Sequence, residues 1–448
     1  MMDWLGRATI DFTTSPTPLG LSDKDGKATD LLRICEKTVP PCQLNPLLFN
    51  GHLQTVWTAT KAHGPPIHYK RRIFAAENKA FDGTFAVDFA VPSAAEEEVD
   101  ETLPPRTTYF SEAELSAMGS DDSRPMLVIL HGLSGGSHEI YLRHAIAPLV
   151  DSGRWEACVV NSRGCAKSKI TTGLLYNARA TWDTRQVVKW LRNKYPNRPL
   201  FGLGFSLGAC ILTNYLGEEG PAAELKAAVV CANPWNLDVS NKMLESSYIG
   251  HEVYLRTLGS KFNGPLPPLS SLPPNPLKPD SLRALATQHR AEIEKYNADV
   301  DMAELFRVRY LYEFDRAYQC PTWGYPTEGA YYRDASSVDA LLSVRVPLLA
   351  LNALDDPIAA RAALPLEEAR ANPNVVLCTT SLGGHLGWFE IGGGRWHAKP
   401  ICNFLNHMAF EVDLNSIRAS KEVPEPKLSQ FAGTFDPASR RMRLKIAP

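Results

Sequence analysis

The sequence predicts an α/β fold in which helices flank a mostly parallel, doubly wound sheet. Two observations lead to this prediction. From Pro125 onwards, short and almost continuous apolar runs recur along the chain, which is typical of strands buried on both faces of a parallel sheet. Helical patterns separate several of these runs, and this alternation favours parallel strands joined by helical crossovers.

The predicted elements follow one another between residues 84 and 385. The first strand, 84–92 (TFAVDFAVP), alternates large apolar side chains with smaller or polar ones, which is the period of a half-buried strand. Helices are predicted at 180–195, from the helical spacing of its valines and leucine, and at 207–220. The remaining strands are predicted from apolar runs at 126–132, 157–164, 200–206, 227–234, 346–356 and 374–385.

A long interruption separates two of the predicted strands, at about 236–343. It contains a proline-rich segment, 264–281, and a charged helical segment, 283–314. An insertion on the carboxyl side of the sheet is expected to form a cap over the crevice where such sheets bind ligands.

The length of 448 residues allows one large decorated domain or two domains. The polar, turn-rich beginning and end of the chain favour one main domain with flanking segments. The predicted division is an N-terminal extension (1–44), a main domain that includes the cap (45–411) and a C-terminal tail (412–448).

Composition excludes several classes of function. A formal net charge of −2 gives no electrostatic reason to expect a nucleic-acid partner. The nine cysteines are spread singly, without a CxxC pair or a Cys/His cluster, so neither a metal site nor a cofactor is predicted. The beginning of the chain does not resemble a signal peptide, and no apolar run approaches the ~18 residues of a membrane span. A cytoplasmic protein is expected, and peripheral contact with lipid stays open.

Residues 202–210 (GLGFSLGAC) place Ser206 in a G-x-S-x-G pattern between a predicted strand and a predicted helix. Small neighbours permit the strained strand-to-helix turn that exposes a nucleophilic hydroxyl. The alternative is a Gly–Ser turn without chemistry, but the position after a strand favours a nucleophile. The same turn places the backbone N–H of Leu207 at a helix start, where it is suited to stabilise an oxyanion.

A nucleophilic serine needs a base, and His385 is the predicted one. His385 follows the last predicted strand in SLGGHLGW, whose glycines permit a loop that reaches the serine. The other downstream histidines lack this context. His251, His397 and His407 do not follow a predicted strand, and His289 lies in the charged helical segment, where it is expected to face solvent.

The acid that orients the base is expected between the serine and the histidine in the chain. LNALDDPIAA supplies two adjacent carboxylates, Asp355 and Asp356, of which at most one is able to face the imidazole. Asp356 is preferred because Pro357 forces the chain to leave the strand directly after it. Asp355 stays the first alternative, and Asp238, which follows an earlier strand in NPWNLD, the second.

A second oxyanion donor is predicted in VILHGLSGG (128–136), where the backbone N–H of Leu133 follows His131 and Gly132. The alternative is a glycine-rich turn that binds a nucleotide phosphate. Neither the dinucleotide pattern G-x-G-x-x-G nor a phosphate loop is present, which argues against this alternative.

Further motifs occur in a fixed order along the chain: NPLLFNGHLQTVW (45–57), HGLSGGSHEIYLRH (131–144), VVNSRGCAKS (159–168), GLGFSLGACILTNYLGEEG (202–220), FDRAYQCPTWGY (314–325), YYRDASS (331–337), LNALDDPI (351–358) and GGHLGWFE (383–390). Together they resemble the AB hydrolase 4 family of the AB hydrolase superfamily, which includes YheT-type esterases and yeast medium-chain fatty acid ethyl ester synthase/esterases. The resemblance spans about residues 45 to 410 and implies an α/β-hydrolase fold with a triad of Ser206, Asp356 and His385. Gly51 and His52, in the first motif, are interpreted as a packing motif.

The predicted function is a serine carboxylesterase for short- to medium-chain acyl esters that forms an acyl-serine intermediate and also transfers the acyl group to an alcohol. One alternative is a dedicated O-acyltransferase for an alcohol or a secondary metabolite, with acyl-CoA as the donor. Another is a non-catalytic binding protein with the hydrolase fold, since a fold alone does not establish a function. The expected partners are an acyl ester or acyl-CoA together with water or an alcohol.

Overall fold

A ten-stranded sheet forms the centre of the computed structural model, which describes residues 5–60, 64–92, 100–255, 282–419, 433–436 and 440–444. The proline-rich segment predicted at 264–281 lies outside the described residues. The strands of the sheet are β1 (Ile10–Thr14), β2 (His68–Ala75), β3 (Thr84–Val91), β4 (Thr107–Tyr109), β5 (Met126–Leu130), β6 (Glu156–Asn161), β7 (Leu200–Phe205), β8 (Leu225–Cys231), β9 (Leu348–Ala353) and β10 (Val375–Thr380).

Neighbouring strands follow the order β1-β10-β9-β8-β7-β5-β6-β3-β2-β4 across the sheet. The six strands from β10 to β6 in this order form a parallel block. At its two ends, β1 pairs antiparallel with β10 and β3 pairs antiparallel with β6. The prediction of a mostly parallel sheet is confirmed. Each predicted strand coincides with an observed one to within a few residues at its start. The expectation that the first of them, 84–92, is half-buried is wrong, because β3 is buried on both faces from Phe85 to Ala90.

Helices cover both faces of the sheet and fill the insertion between β8 and β9. Shorter pairs of strands join residues 7–8 to 42–43, 20–22 to 28–30 and 433–436 to 441–444. The α-helices are α1 (Leu31–Thr38), α2 (Gly51–Thr60), α3 (Glu112–Ser116), α4 (Ile140–Val150), α5 (Thr181–Lys194), α6 (Leu207–Glu219), α7 (Leu237–Glu245), α8 (Leu282–Gln288), α9 (Arg290–Tyr296), α10 (Met302–Leu305), α11 (Leu311–Phe314), α12 (Cys320–Trp323), α13 (Glu328–Ala335), α14 (Leu366–Ala371), α15 (Ala398–Phe410) and α16 (Leu414–Ala419).

Two hydrophobic cores lie on opposite faces of the sheet, because side chains alternate along each strand. In β5, Leu127 and Ile129 belong to the core that also contains residues of α4 and α15. Met126 and Val128 of the same strand belong to the other core, with residues of α5 and α6. This double burial explains why the strands appear in the sequence as continuous apolar runs.

The segment predicted as an N-terminal extension supplies the edge strand β1, which pairs antiparallel with β10 through Thr13 and Leu377, among others. Its sequence, IDFTT, is short and partly polar, so it carried no strong strand signal. The segment predicted as a tail also contacts the body of the protein. Val412 is fully buried, and the Arg440 guanidinium donates to the carbonyl oxygens of Asp334 (2.8 Å) and Ser336 (3.0 Å). The predicted division into three segments stays a prediction.

The insertion between β8 and β9 packs over the beginning of α6. Its buried side chains, which include Leu285, Ile293, Phe314 and Tyr318, form a separate cluster against which the half-buried Leu207 packs. Leu207 follows Ser206 directly, so this cap lies beside the serine. All nine cysteines fall in the described ranges, where they are buried and unbridged. Among the described helices, none combines the length and apolar character needed to cross a membrane.

Candidate active site

Ser206 lies on a sharp turn between β7 and α6. Its backbone has φ 51° and ψ −119°, a conformation that L-residues rarely adopt and that costs on the order of 1–3 kcal/mol. The flanking glycines are required by close packing. A Cβ at Gly204 would lie 2.7 Å from the Cα of Ala209, and one at Gly208 would lie 2.4 Å from the carbonyl oxygen of Leu130. The G-x-S-x-G pattern therefore has a steric cause.

The structure places His385 between Ser206 and Asp356. The Oγ of Ser206 is 2.8 Å from the Nε2 of His385, and the Nδ1 of His385 is 2.8 Å from the Oδ2 of Asp356. The other carboxylate oxygen of Asp356 accepts hydrogen bonds from the backbone N–H groups of Ile358 (2.7 Å) and Ala359 (2.9 Å). Because a carboxylate only accepts, it selects the imidazole tautomer with hydrogen on Nδ1, which leaves Nε2 free to accept the serine proton.

Neither alternative carboxylate contacts the imidazole. Asp355 turns towards the backbone instead, where its Oδ1 accepts the N–H of Gly384 at 2.9 Å. Its Oδ2 is buried without a hydrogen-bond partner in the described part of the chain, and burial raises the pKa of Asp355 to about 6. Asp238 pairs with Lys242 one turn along α7 at 2.6 Å. Of the three candidates, Asp356 lies against His385.

The other downstream histidines have structural contacts. His251 lies 2.9 Å from a carboxylate oxygen of Glu252, and His407 lies against Glu411. His397 is fully buried, and burial lowers its pKa to about 3.

The expectation that His289 faces solvent is wrong, because only 3% of it is exposed. The turn between α8 and α9 packs against the loop at Gly164, whose carbonyl oxygen is 3.3 Å from the Nε2 of His289. The charged residues around His289 suggested an exposed helix, although one face of this segment is buried against the loop at Gly164.

The loop after β5 lies beside the serine, as expected for an oxyanion loop. A Cβ at Gly132 would lie only 3.3 Å from the Cβ of Ser206, and Leu133 lines the same cavity as the serine. The backbone N–H groups of Leu133 and Leu207 find no protein acceptor among the residues described. Leu207 opens α6, where an N–H lacks a partner within the helix. Their role as oxyanion donors stays a prediction.

A buried polar network that was not predicted from the sequence holds the loop after β5. The hydroxyl of Ser137 donates to the Oδ2 of Asp88 at 2.6 Å, and the backbone N–H of Ser137 donates to the side chain of Asn161 at 3.0 Å. Asp88 is in turn held by two hydrogen bonds from Arg71, at 2.6 and 2.8 Å, and neither side chain is exposed. The available signal was a lone charged residue in the apolar strand TFAVDFAV.

His131 links the loop after β5 to the loop after β6. Its Nε2 accepts the backbone N–H of Ser162 at 3.0 Å, so its Nδ1 carries the hydrogen and donates to the carbonyl oxygen of Gly132 at 2.6 Å. Burial lowers the pKa of His131 to about 4, so the ring is uncharged near neutral pH. The neutral ring therefore joins the two loops through one hydrogen bond to each.

Helix α2 positions the loop that carries His385. The backbone N–H of His385 donates to the hydroxyl of Thr55 at 2.9 Å, and the backbone N–H of Phe389 donates to the side chain of Gln54 at 2.9 Å. A Cβ at Gly51 would lie 1.8 Å from the carbonyl oxygen of Asp355, so only glycine fits there. These contacts favour the interpretation of the Gly51-His52 motif as a packing motif.

A cavity of about 240 Å³ opens over Ser206 and His385. Its wall is mostly apolar, and the cap contributes several polar side chains to it, among them Asp315, Gln319 and Tyr332. A mostly apolar wall suits a ligand with a hydrocarbon part. The apolar lining includes Leu133, Leu207, Leu244, Leu282, Leu311 and Leu386.

Comparison with known proteins agrees with this geometry. The family model of the alpha/beta hydrolase fold matches residues 125–390, a range that contains Ser206, Asp356 and His385. The chain is 36% identical over 411 residues to a monoacylglycerol lipase of Saccharomyces cerevisiae, covering 87% of this chain and 86% of that protein. It is 30% identical over 424 residues to medium-chain fatty acid ethyl ester synthase/esterase 2 of the same yeast, covering 85% and 90%.

A third relative, phospholipase ABHD3 of Homo sapiens, is 33% identical over 276 residues, covering 61% of this chain and 60% of that protein. The matches to the yeast proteins span nearly the whole chain, and the family model covers the sheet from β5 to the loop after β10. The predicted fold and the predicted enzyme class, a serine hydrolase, are confirmed, and the chain belongs to the α/β hydrolase fold family.

Proposed function

We propose that this protein is a serine carboxylic ester hydrolase, with Ser206 as the nucleophile, His385 as the base and Asp356 as the acid that orients the base. The observation that supports this proposal is the pair of 2.8 Å contacts that links the three side chains below an apolar cavity. A serine hydroxyl becomes an effective nucleophile when an oriented imidazole takes its proton.

The chemistry proceeds through an acyl-serine. The Oγ of Ser206 attacks the ester carbonyl carbon while its proton moves to the Nε2 of His385, and Asp356 stabilises the resulting imidazolium. The backbone N–H groups of Leu133 and Leu207 donate to the oxyanion of the tetrahedral intermediate. When this intermediate collapses, the alcohol leaves with the proton from His385. Water then attacks the acyl-serine by the same steps and releases the acid.

The proposed substrates are short- to medium-chain acyl esters, because the cavity wall that meets Ser206 is mostly hydrocarbon. The names of the two yeast relatives, a lipase and an ester synthase/esterase, support this substrate class. Acyl transfer belongs to the same proposal, since an alcohol that replaces water in the second step yields a new ester. Acyl-CoA as a donor and a cytoplasmic location stay predictions.

A fluorophosphonate probe tests the catalytic role of Ser206. We expect the wild-type protein to be labelled covalently and Ser206→Ala to be unlabelled, because the phosphonate bonds to an activated serine. Ser168→Ala is the matched control, since Ser168 is also buried but its hydroxyl donates to the carbonyl oxygen of Cys165 at 2.7 Å. This control should label like the wild type. Labelling that persists in Ser206→Ala would refute the proposal.

The balance between hydrolysis and transfer needs a separate measurement. Propyl decanoate is incubated with the enzyme in buffer with increasing ethanol, and decanoic acid and ethyl decanoate are quantified. Transfer predicts that the ratio of ethyl ester to acid exceeds the ratio produced by a simple chemical competition of ethanol with water. A ratio at or below that reference would leave a hydrolase without transfer activity.

A further inference from the structure

Asp315 is a carboxyl group in the wall of the cavity above Ser206 that the proposed mechanism does not use. It begins a π-helical turn, Asp315–Gln319, directly after α11 of the cap. Only 4% of the residue is exposed. A buried carboxyl group is costly unless hydrogen bonds or a cation compensate for the lost water. Its burial in a mostly apolar wall, without a cation beside it, therefore requires an explanation.

The partners of Asp315 within the protein are few. The hydroxyl of Tyr332 donates to its Oδ2 at 2.7 Å. In the ranges that the structure describes, no cationic side chain forms an ion pair with it, and the neighbouring Arg316 pairs with Glu328 instead. Its Oδ1 makes no hydrogen bond to a described residue. One oxygen of this carboxyl group is thus left for a group outside the described protein atoms.

Burial sets the protonation of this group. The low dielectric of the cap raises the pKa of Asp315 to about 7, although the bond from Tyr332 acts in the opposite direction. A raised pKa favours the protonated carboxyl, which is able to donate as well as accept a hydrogen bond, whereas the ionised form only accepts. A hydroxyl group on a ligand also donates and accepts, so it matches Asp315 in either form.

A polar group in an apolar cavity discriminates strongly between ligands. A site built to hydrogen-bond a hydroxyl binds an analogue without that hydroxyl poorly, because its own buried group is then left unpaired. Tyr332 holds one carboxylate oxygen and so orients the other, which lowers the entropy lost on binding.

We propose that Asp315, oriented by Tyr332, is a specificity-determining residue that hydrogen-bonds a free hydroxyl group of the ester substrate. The inference rests on the proposed function, since it concerns recognition of the ester that Ser206 attacks. Such a hydroxyl is carried either by the alcohol part, as in a monoester of glycerol, or by a hydroxylated acyl chain. The cavity chemistry is shared by both, and the substrates below distinguish them.

The experiment compares kcat/KM for three esters with the same ten-carbon chain. Propyl decanoate carries no free hydroxyl, 1-decanoylglycerol carries hydroxyls on the alcohol, and propyl 10-hydroxydecanoate carries one on the acyl chain. For Asp315→Leu we expect kcat/KM for one of the hydroxylated esters to fall at least about tenfold, while propyl decanoate changes less than about twofold. The ester that responds identifies the side of the substrate that Asp315 recognises.

The cap also provides a matched control pair. The hydroxyl of Tyr325 donates to the Oδ2 of Asp334 at 2.7 Å, which repeats the tyrosine–carboxylate contact, but neither residue lines the cavity. Asp334 differs in being about half exposed and in lying 3.6 Å from the guanidinium of Arg179. Asp334→Leu and Tyr325→Phe should leave the ratio of kcat/KM between hydroxylated and plain esters unchanged. Tyr332→Phe should shift that ratio in the direction of Asp315→Leu, by a smaller factor, because it removes only the orienting bond.

Two results would overturn the inference. One is an equal fall of kcat/KM for all three esters in Asp315→Leu, which would assign Asp315 to cap stability. The other is an unchanged ratio in both Asp315→Leu and Asp315→Asn. Melting temperature and the rate of fluorophosphonate labelling report whether each variant folds with an intact Ser206, and the double variant Asp315→Leu/Tyr332→Phe avoids an unpaired tyrosine hydroxyl. If the wild type hydrolyses no ester through Ser206, the proposed function fails instead.

Discussion

Replacing Asp356 by asparagine tests the proposed triad, because the contacts of both carboxylate oxygens predict how the new side chain is oriented. The Oδ1 of Asp356 is held by the backbone N–H groups of Ile358 and Ala359, at 2.7 and 2.9 Å. In Asp356→Asn the amide oxygen keeps these two bonds, so the NH₂ group takes the place of Oδ2 beside the Nδ1 of His385. Two donors then face each other unless the imidazole changes tautomer.

The change of tautomer is what inactivates the enzyme. With hydrogen moved to Nε2, His385 donates towards the Oγ of Ser206 and no longer accepts its proton across the present 2.8 Å contact. An acid-to-amide exchange of this kind lowers kcat by about 10⁴, equivalent to about 5.5 kcal/mol in the activation free energy. Binding of the ester changes little, because Asp356 contacts the histidine and not the cavity.

Asp355→Asn is the matched control for this prediction. In the wild type the Oδ1 of Asp355 accepts the N–H of Gly384 at 2.9 Å, and the amide oxygen of an asparagine is able to accept the same bond. His385 keeps Asp356 as its acid partner. Initial rates of propyl decanoate hydrolysis at pH 7 should therefore drop about 10⁴-fold in Asp356→Asn and only a few-fold in Asp355→Asn. Equal rates for the two variants, or an Asp356→Asn variant that retains more than about a tenth of the activity, would refute the reasoning.

Three other predictions concern residues that surround the proposed triad. Gly208→Ala should lower the free energy of unfolding by about 1–3 kcal/mol and reduce activity, because its Cβ would lie 2.4 Å from a carbonyl oxygen of β5. Gly20→Ala is the control in thermal unfolding, since a Cβ at Gly20 has no atom within 4 Å. Asp355 has its pKa raised from 3.8 to about 6, so folded protein holds this proton more tightly than unfolded protein and wild-type stability falls as pH rises from 4 to 6. Urea unfolding should show Asp355→Asn gaining up to about 3 kcal/mol over the wild type between pH 4 and 7, and a constant difference would contradict this. Ser137→Ala loses the 2.6 Å bond to Asp88 and should cost about 1.5–3 kcal/mol and lower kcat, which an unchanged melting temperature would disprove.

Local patterns in the sequence predict seven of the ten strands of the sheet and name the three residues of the proposed triad. The apolar runs predict strands because both faces of the sheet are buried. G-x-S-x-G predicts the turn at Ser206 because any larger residue at Gly204 or Gly208 would collide with neighbouring backbone. His385 is predicted by its glycine-flanked position after the last strand. Each of these signals depends on atoms only a few residues apart, so it is visible in the sequence.

Long-range packing decided the rest. Asp355 and Asp356 are chemically identical neighbours, and only the path of the chain after β9 brings one of them to His385, 29 residues away. The anchoring of the loop after β5 by Asp88 and the burial of His289 in the cap join segments 49 and 125 residues apart. The edge strand β1 forms because β10 offers it a free edge. By itself the sequence determined which residues are candidates for the chemistry; the tertiary structure decided which of them meet, because a contact between distant segments depends on the packing of everything between them.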